Sequence, residues 1–134
     1  MNTSFKVEIY TPTGKYFSGD AEFLSVSSPV AVLGILPDHA PLITTLIVSK
    51  LTIKNKAQEL KYAIGGGVMN IKSDHTVVLL LNSIERSDEI DVNRALEAQK
   101  RAEERLSRNS DEIDVKRAEA ALSRALNRIS ISKE

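Results

Sequence analysis

A chain of 134 residues has room for one domain with its own core plus a modest appendage, and none for a second catalytic domain. Its 18 basic residues balance 18 acidic ones, so nothing global draws it to nucleic acid or anionic lipid, and charged recognition must be local. With no cysteine, disulfides, thiolate nucleophiles and Cys-based metal sites are excluded, which fits a reducing compartment such as the cytosol.

The opening residues, Met1-Asn2-Thr3-Ser4-Phe5-Lys6, hold no apolar signal core. The longest aliphatic run, Val77 to Leu81, is far below the ~20 residues of a membrane helix. The expectation is a chain that neither spans a bilayer nor carries a signal peptide.

Up to about residue 84 the pattern is strand-like. Phe5, Val7 and Ile9 alternate with Lys6, Glu8 and Tyr10, which puts one face on a core. Thr11-Pro12-Thr13-Gly14 reads as a turn, and further strands are predicted at Phe23 to Ser27, Val48 to Ile53, Leu60 to Ile64, Val68 to Lys72 and Thr76 to Leu81. Breaks such as Asn55-Lys56 and Ser73-Asp74, without helices between strands, favour an antiparallel sandwich or flattened barrel over βαβ units.

From Ser87 the period becomes helical, and no proline follows Pro41. The domain division is therefore set at 1–86 for the β-sandwich and 87–134 for a helical hairpin. The segment Ser87-Asp88-Glu89-Ile90-Asp91-Val92-Asn93-Arg94-Ala95 recurs as Ser110-Asp111-Glu112-Ile113-Asp114-Val115-Lys116-Arg117-Ala118, with one position changed. Each copy predicts a helix start, with Asp91 or Asp114 as N-cap and Ile90 or Ile113 stapled outside the first turn. Shared ancestry and two independently good caps account for the repeat equally well.

Val92, Ala95, Gln99, Ala102 and Leu106 fall on one stripe, and Val115, Ala118, Leu122, Ala125 and Ile129 on another. They predict two antiparallel helices broken near Asn109-Ser110. Alanine dominates this seam, and an alanine methyl buries far less than the ~1.5–3 kcal/mol of a Leu or Ile side chain. Docking on the sheet is thus expected to be marginal, while helix propensity and pairs such as Glu97–Arg101 and Glu104–Arg108 keep each helix intact once released. That combination predicts a two-state hairpin that a ligand biases through its difference in affinity for the states.

Catalytic arrangements are not legible. His39 and His75 lie in different parts of the sheet region and lack metal-ligand spacing. Gly65-Gly66-Gly67 is followed by a strand and by no Lys-Ser or Lys-Thr, so it reads as a tight bend or close backbone contact rather than a phosphate loop. No nucleophile elbow or carboxylate pair can be argued, and the chain reads as non-enzymatic. Arg117, Arg124 and Arg128 share one face of the second helix, and Arg94 at the start of the first helix would stand at the same end as Arg124 and Arg128. Convergent guanidinium groups suit phosphate oxygens; a solvated basic face balanced by Glu97 and Glu119 is the plainer alternative.

Three further stretches, Gly34-Ile35-Leu36-Pro37-Asp38-His39-Ala40-Pro41-Leu42, Gly65-Gly66-Gly67-Val68 and Ile90-Asp91-Val92-Asn93-Arg94-Ala95, together resemble the epsilon subunits of bacterial F-type ATP synthases. The resemblance runs over nearly the whole chain. It implies a rotor-stalk protein held by the gamma subunit and the c-ring, peripheral on the cytoplasmic side of the membrane, whose extended helices reach the catalytic alpha and beta subunits and hinder ATP hydrolysis. It also implies, as in the Bacillus-like branch, ATP as a regulatory ligand of the folded-down hairpin, with no required cofactor and no metal. Ile90, Asp91 and Arg94 match that branch's nucleotide motif, Arg124 and Arg128 its last-helix arginines, and Glu85 a further contact. His39 matches a partner-facing position. Val32 stands where the family usually has an acidic loop residue, which removes a charged contact there. The reading from another class is a free-standing nucleotide-sensing adaptor of the same architecture.

Overall fold

The structure is a computed structural model that describes residues 2–108 and 111–133. Eight strands come first: β1 (Phe5–Thr11), β2 (Gly14–Ala21), β3 (Phe23–Ser27), β4 (Val32–Ile35), β5 (Leu42–Lys54), β6 (Glu59–Ile71), β7 (Val77–Leu81) and β8 (Ile84–Arg86). A short 3-10 turn, Ser87–Glu89, leads into helices α1 (Val92–Arg108) and α2 (Glu112–Ser132).

The strands hydrogen-bond in the order β2-β1-β7-β6-β5-β3-β4, with β8 beside the first half of β6. β5 and β6 are 13 residues each, longer than a typical strand, and their two halves serve different neighbours. Gly67–Ile71 of β6 pairs with β7, whereas Tyr62–Ile64 pairs with β8, and Thr52–Lys54 of β5 pairs with β3. The sheet thus folds over on itself into a sandwich. Val7, Ile9, Met69, Ile71, Val77 and Leu79 from one side meet Leu24, Val26, Ile35, Leu51, Ile53 and Ile64 from the other in a single core.

The glycine triplet sits at this fold. A Cβ on Gly67, at φ +153, would collide with the Leu80 carbonyl, and one on Gly66, at φ +88, would press on the Leu46 carbonyl at 3.0 Å. The expected close backbone contact is therefore present. It lies inside one continuous strand rather than between two, because β5 pairs with β6 on both sides of Gly66, Leu46 opposite Gly67 and Val48 opposite Gly65.

The expected antiparallel sandwich is observed with one parallel exception, and the expected strand limits need correction. β1 and β7 pair in parallel, Val7 opposite Val77 through Tyr10 opposite Leu80, so the sandwich is mostly rather than wholly antiparallel. Alternation reports which face is buried and says nothing of strand direction. β5 begins at Leu42 instead of Val48, and β2, β4 and β8 had no counterpart in the pattern. They are short, edge-lying or rich in polar residues, and main-chain pairing holds them.

In the hairpin, Asp91 caps α1 as expected, its Oδ1 accepting from the Arg94 N–H at 3.1 Å. Asp114 does not cap α2. That helix starts earlier, at Glu112, with Asp111 as N-cap accepting from the Ile113 N–H at 2.9 Å. Ile113 consequently lies in the helix and is 62% exposed instead of acting as a staple. The expected break at Asn109-Ser110 falls outside the described residues. Ala95 and Ala102 of α1 and Ala118 and Ala125 of α2 are buried, so the alanine stripes form the seam.

Candidate functional site

The hairpin lies against the outer side of β5 and β6. What holds it there is small: Ala63 of β6, Ile90 ahead of α1 and Ile131 at the end of α2 form one buried apolar cluster. Among the described residues, α2 is joined to the sheet by polar ties at Asn127 and Arg128. Asn127 Nδ2 donates to the Ser49 carbonyl at 3.0 Å. Arg128 donates through Nε and Nη2 to the two carboxylate oxygens of Glu85 at 2.6 and 3.2 Å.

The local sequence explains this placement. β8 pairs with β6 so that Glu85 stands opposite Ala63, on the same outer face. On α2, residues 124 and 128 are one turn apart, and residue 127 completes the same side. Between these surfaces is a cleft of roughly 290 Å³, near the lower end of the size range of small-molecule sites. Gly65, Ser83 and Glu85 line it from the sheet, Ala98 from α1, and Arg124 and Arg128 from α2. Ala98 of α1 lines the cleft together with Ala121 and Ala125 of α2.

Two guanidinium groups and one carboxylate give the cleft a surplus of positive charge. Arg124 has an exposed side chain, while Arg128 is engaged by Glu85 with 26% of its side chain accessible. An anion entering the cleft would meet Arg124 directly and would compete with Glu85 for Arg128.

The sequence-predicted site residues fall into two groups. Glu85, Arg124 and Arg128 share the cleft. Ile90, Asp91 and Arg94 do not line it: Ile90 is buried on Ala63 and Ile131, Asp91 spends a carboxylate oxygen on its helix cap, and Arg94 is exposed. The anticipated convergence of three guanidinium groups is therefore reduced here to two. Asn127, Ser83 and Gly65 were missed. Asn127 could have been found from its 3, 4 spacing within Arg124, Asn127 and Arg128; Ser83 and Gly65 carry no such signal.

At another part of the sandwich the two histidines, far apart in sequence, come together. His75 Nδ1 donates to the His39 carbonyl at 3.1 Å, and His39 Nδ1 donates to the Ala40 carbonyl at 2.7 Å. Asp38 and His75 adopt left-handed backbone at φ 65 and 71, and Asn2 Nδ2 donates to Asp38 Oδ1 at 2.9 Å. Leu36 of this loop is 61% exposed, and Val32, at the start of edge strand β4, is 71% exposed. No helix among the described residues is long and apolar enough to cross a membrane.

Residues 4–87 match the family model described as ATP synthase, Delta/Epsilon chain, beta-sandwich domain, and residues 88–133 match that of the long alpha-helix domain of the same chains. The ATP synthase epsilon chain of Pelotomaculum thermopropionicum is 46% identical, over 77% of this chain and 76% of that one. The epsilon chain of Bacillus licheniformis is 39% identical over 78% and 79%. A chain in the cryo-EM structure of Euglena gracilis mitochondrial ATP synthase, comprising OSCP, F1 and c-ring, superposes with a TM-score of 0.80 at 17% identity, covering 92% of this chain and 78% of that chain. One in the central stalk and c-ring structure from Tetrahymena thermophila reaches 0.66 at 16% identity, covering 96% of each. At such identities these two likenesses speak for the fold.

Proposed function

The chain belongs to the ATP synthase delta/epsilon family as a non-catalytic subunit, and from that premise we propose that it joins the gamma subunit to the c-ring and brakes ATP hydrolysis with its hairpin. In this reading the sandwich is the fixed mount on the cytoplasmic side of the membrane, reached through the complex. The loop holding His39, with exposed Leu36 and Val32 nearby, is its apolar partner surface. The hairpin seats on the sandwich when ATP occupies the cleft and rises toward the alpha and beta subunits when it does not.

The observation that carries this reading is the modest seating seen among the described residues: a small apolar cluster, an amide hydrogen bond and a partly exposed ion pair. A contact of that size is within reach of a ligand's binding free energy, since a ligand at 100 times its Kd stabilises the state it binds by about 2.7 kcal/mol. In the proposed site Arg124 and Arg128 take phosphate oxygens, with Glu85 yielding Arg128 as they do. Arg94 would add a third guanidinium, and Asp91 with the backbone at Ile90 would meet the adenine edge after a local shift of that segment.

The test uses the assembled ATP synthase lacking residues after Ser87. Hydrolysis is expected to rise while assembly is retained; unchanged hydrolysis removes the brake. For the cleft, calorimetric titration of the full chain with ATP is expected to show Arg124→Ala and Arg128→Ala weakening binding by about 10- to 100-fold. Equal affinity in both variants and wild type takes these residues out of the site.

A further inference from the structure

The repeat in the helical half has two conformations in one molecule. Asp88-Glu89-Ile90-Asp91-Val92-Asn93-Arg94-Ala95 and Asp111-Glu112-Ile113-Asp114-Val115-Lys116-Arg117-Ala118 differ at one position. In the second copy the helix begins at Glu112, and Asp111 caps it through the Ile113 N–H. In the first copy helix α1 begins three residues later in the same frame, at Val92, and Ile90 is extended with φ −70 and ψ 124. Nearly identical sequence rules out propensity as the cause.

The difference lies in what each copy touches. Ile90 is 8% exposed and packed with Ala63 and Ile131, whereas Ile113 is 62% exposed. Asp88, the counterpart of the capping Asp111, is also occupied: Arg86 donates to its two carboxylate oxygens at 2.7 and 2.9 Å. The seated hairpin thus holds the first copy out of the conformation that the second copy adopts with its isoleucine exposed.

We propose that Glu89, Ile90 and Asp91 coil onto the front of α1 when the hairpin leaves the sheet, with Asp88 exchanging Arg86 for the Ile90 N–H as the new N-cap. This inference rests on the reading that the hairpin is releasable. The exchange is self-consistent, because Arg86 now holds both oxygens of the Asp88 carboxylate, which must turn from it to accept from the Ile90 N–H. Leaving the sheet also frees Ile90 from the only apolar cluster that fixes it among the described residues. Release is therefore offset by Ile90 and Asp91 entering the helix and Glu89 passing from the 3-10 turn into it, and the joint moves back toward the end of β8.

The test follows the full chain by backbone chemical shifts at residues 89–91 and by a spin-label distance between α2 and β5. Ile131→Asp places a charge in the apolar cluster and is expected to lengthen that distance while residues 89–91 take helical shifts. Adding Val92→Pro keeps the seated form intact, since residue 92 is the first residue of α1, where proline is tolerated. The same change obstructs a helix running through it. The double variant is expected to lose the helical shifts and to raise the seated-to-released ratio by about tenfold or more relative to Ile131→Asp alone. A long distance in the Ile131→Asp chain with Ile90 and Asp91 still outside the helix overturns the proposal. A short distance in that chain overturns the releasable-hairpin reading beneath it.

Discussion

Arg128 grips both carboxylate oxygens of Glu85, 43 positions away, and so ties the last helix of the chain to its last strand. Of the residues in the cleft these two are the ones whose pairing spans hairpin and sandwich. The same guanidinium that would receive a phosphate is already in use, which makes Glu85 and an entering anion compete for one group.

What the pair contributes to seating can be measured without a nucleotide. A double-mutant cycle with Glu85→Gln and Arg128→Gln, read from hydrogen exchange of α2 amides, is expected to give a coupling of roughly 0.5–1.5 kcal/mol, since the geometry is bidentate but both groups are partly exposed. The coupling should shrink as ionic strength rises. Zero coupling at low salt would mean that the pair does not seat the hairpin.

Ile131 is 2% exposed at the far end of α2 and is the largest hairpin side chain in contact with Ala63 and Ile90. Ile131→Ala is expected to cost about 2–4 kcal/mol, and the loss should be confined to the hairpin because the sandwich core is a separate cluster. Exchange protection should fall across α2 and stay unchanged in β1, β6 and β7. Equal loss in both halves would show one cooperative unit.

The glycines at the sheet's fold differ in what they tolerate. Gly67→Ala would drive its Cβ into the Leu80 carbonyl with no flexible side chain to yield, and is expected to cost at least about 3 kcal/mol. Gly14→Ala meets nothing within 4 Å, and its cost, about 1 kcal/mol, comes from backbone strain at φ +124 alone. Thermal unfolding of the two variants separates them; equal melting temperatures would contradict the steric account.

Much of this architecture was legible because its signals are local. Phe5, Val7 and Ile9 announce their buried face by alternation, the alanines at 95, 102, 118 and 125 announce the seam by helical period, and Asp91 announces its cap. What stayed hidden depends on contacts distant in sequence. The parallel pairing of Val7 with Val77, the meeting of His39 with His75 and the burial of Ile90 on Ala63 leave no periodic trace. The repeat shows the limit most directly: the same residues that start a helix at Glu112 wait until Val92 in the other copy, where Ile90 is buried on Ala63 and Ile131 while Ile113 is exposed. In the cleft, the spacing of Arg124 and Arg128 foretold their shared face, while the partner that engages Arg128 came from a strand three residues long.

Tyr62 gives the sandwich a signature at high pH. It is 3% exposed, its ring meets that of Tyr16 edge to face at 6.2 Å, and burial first, then Tyr16, pushes its phenol from 10.0 to about 12. Glu89 and Asp88 act in the same direction and Arg86 opposes them. A raised pKa means the folded chain keeps a proton that the unfolded chain gives up near pH 10. The contribution is therefore complete below pH 10 and is lost as pH climbs toward about 12. Urea midpoints at pH 9 and pH 11 should fall further for wild type than for Tyr62→Phe, which removes the titrating group and leaves the ring in place. Parallel losses in the two chains would assign the alkaline sensitivity to other groups.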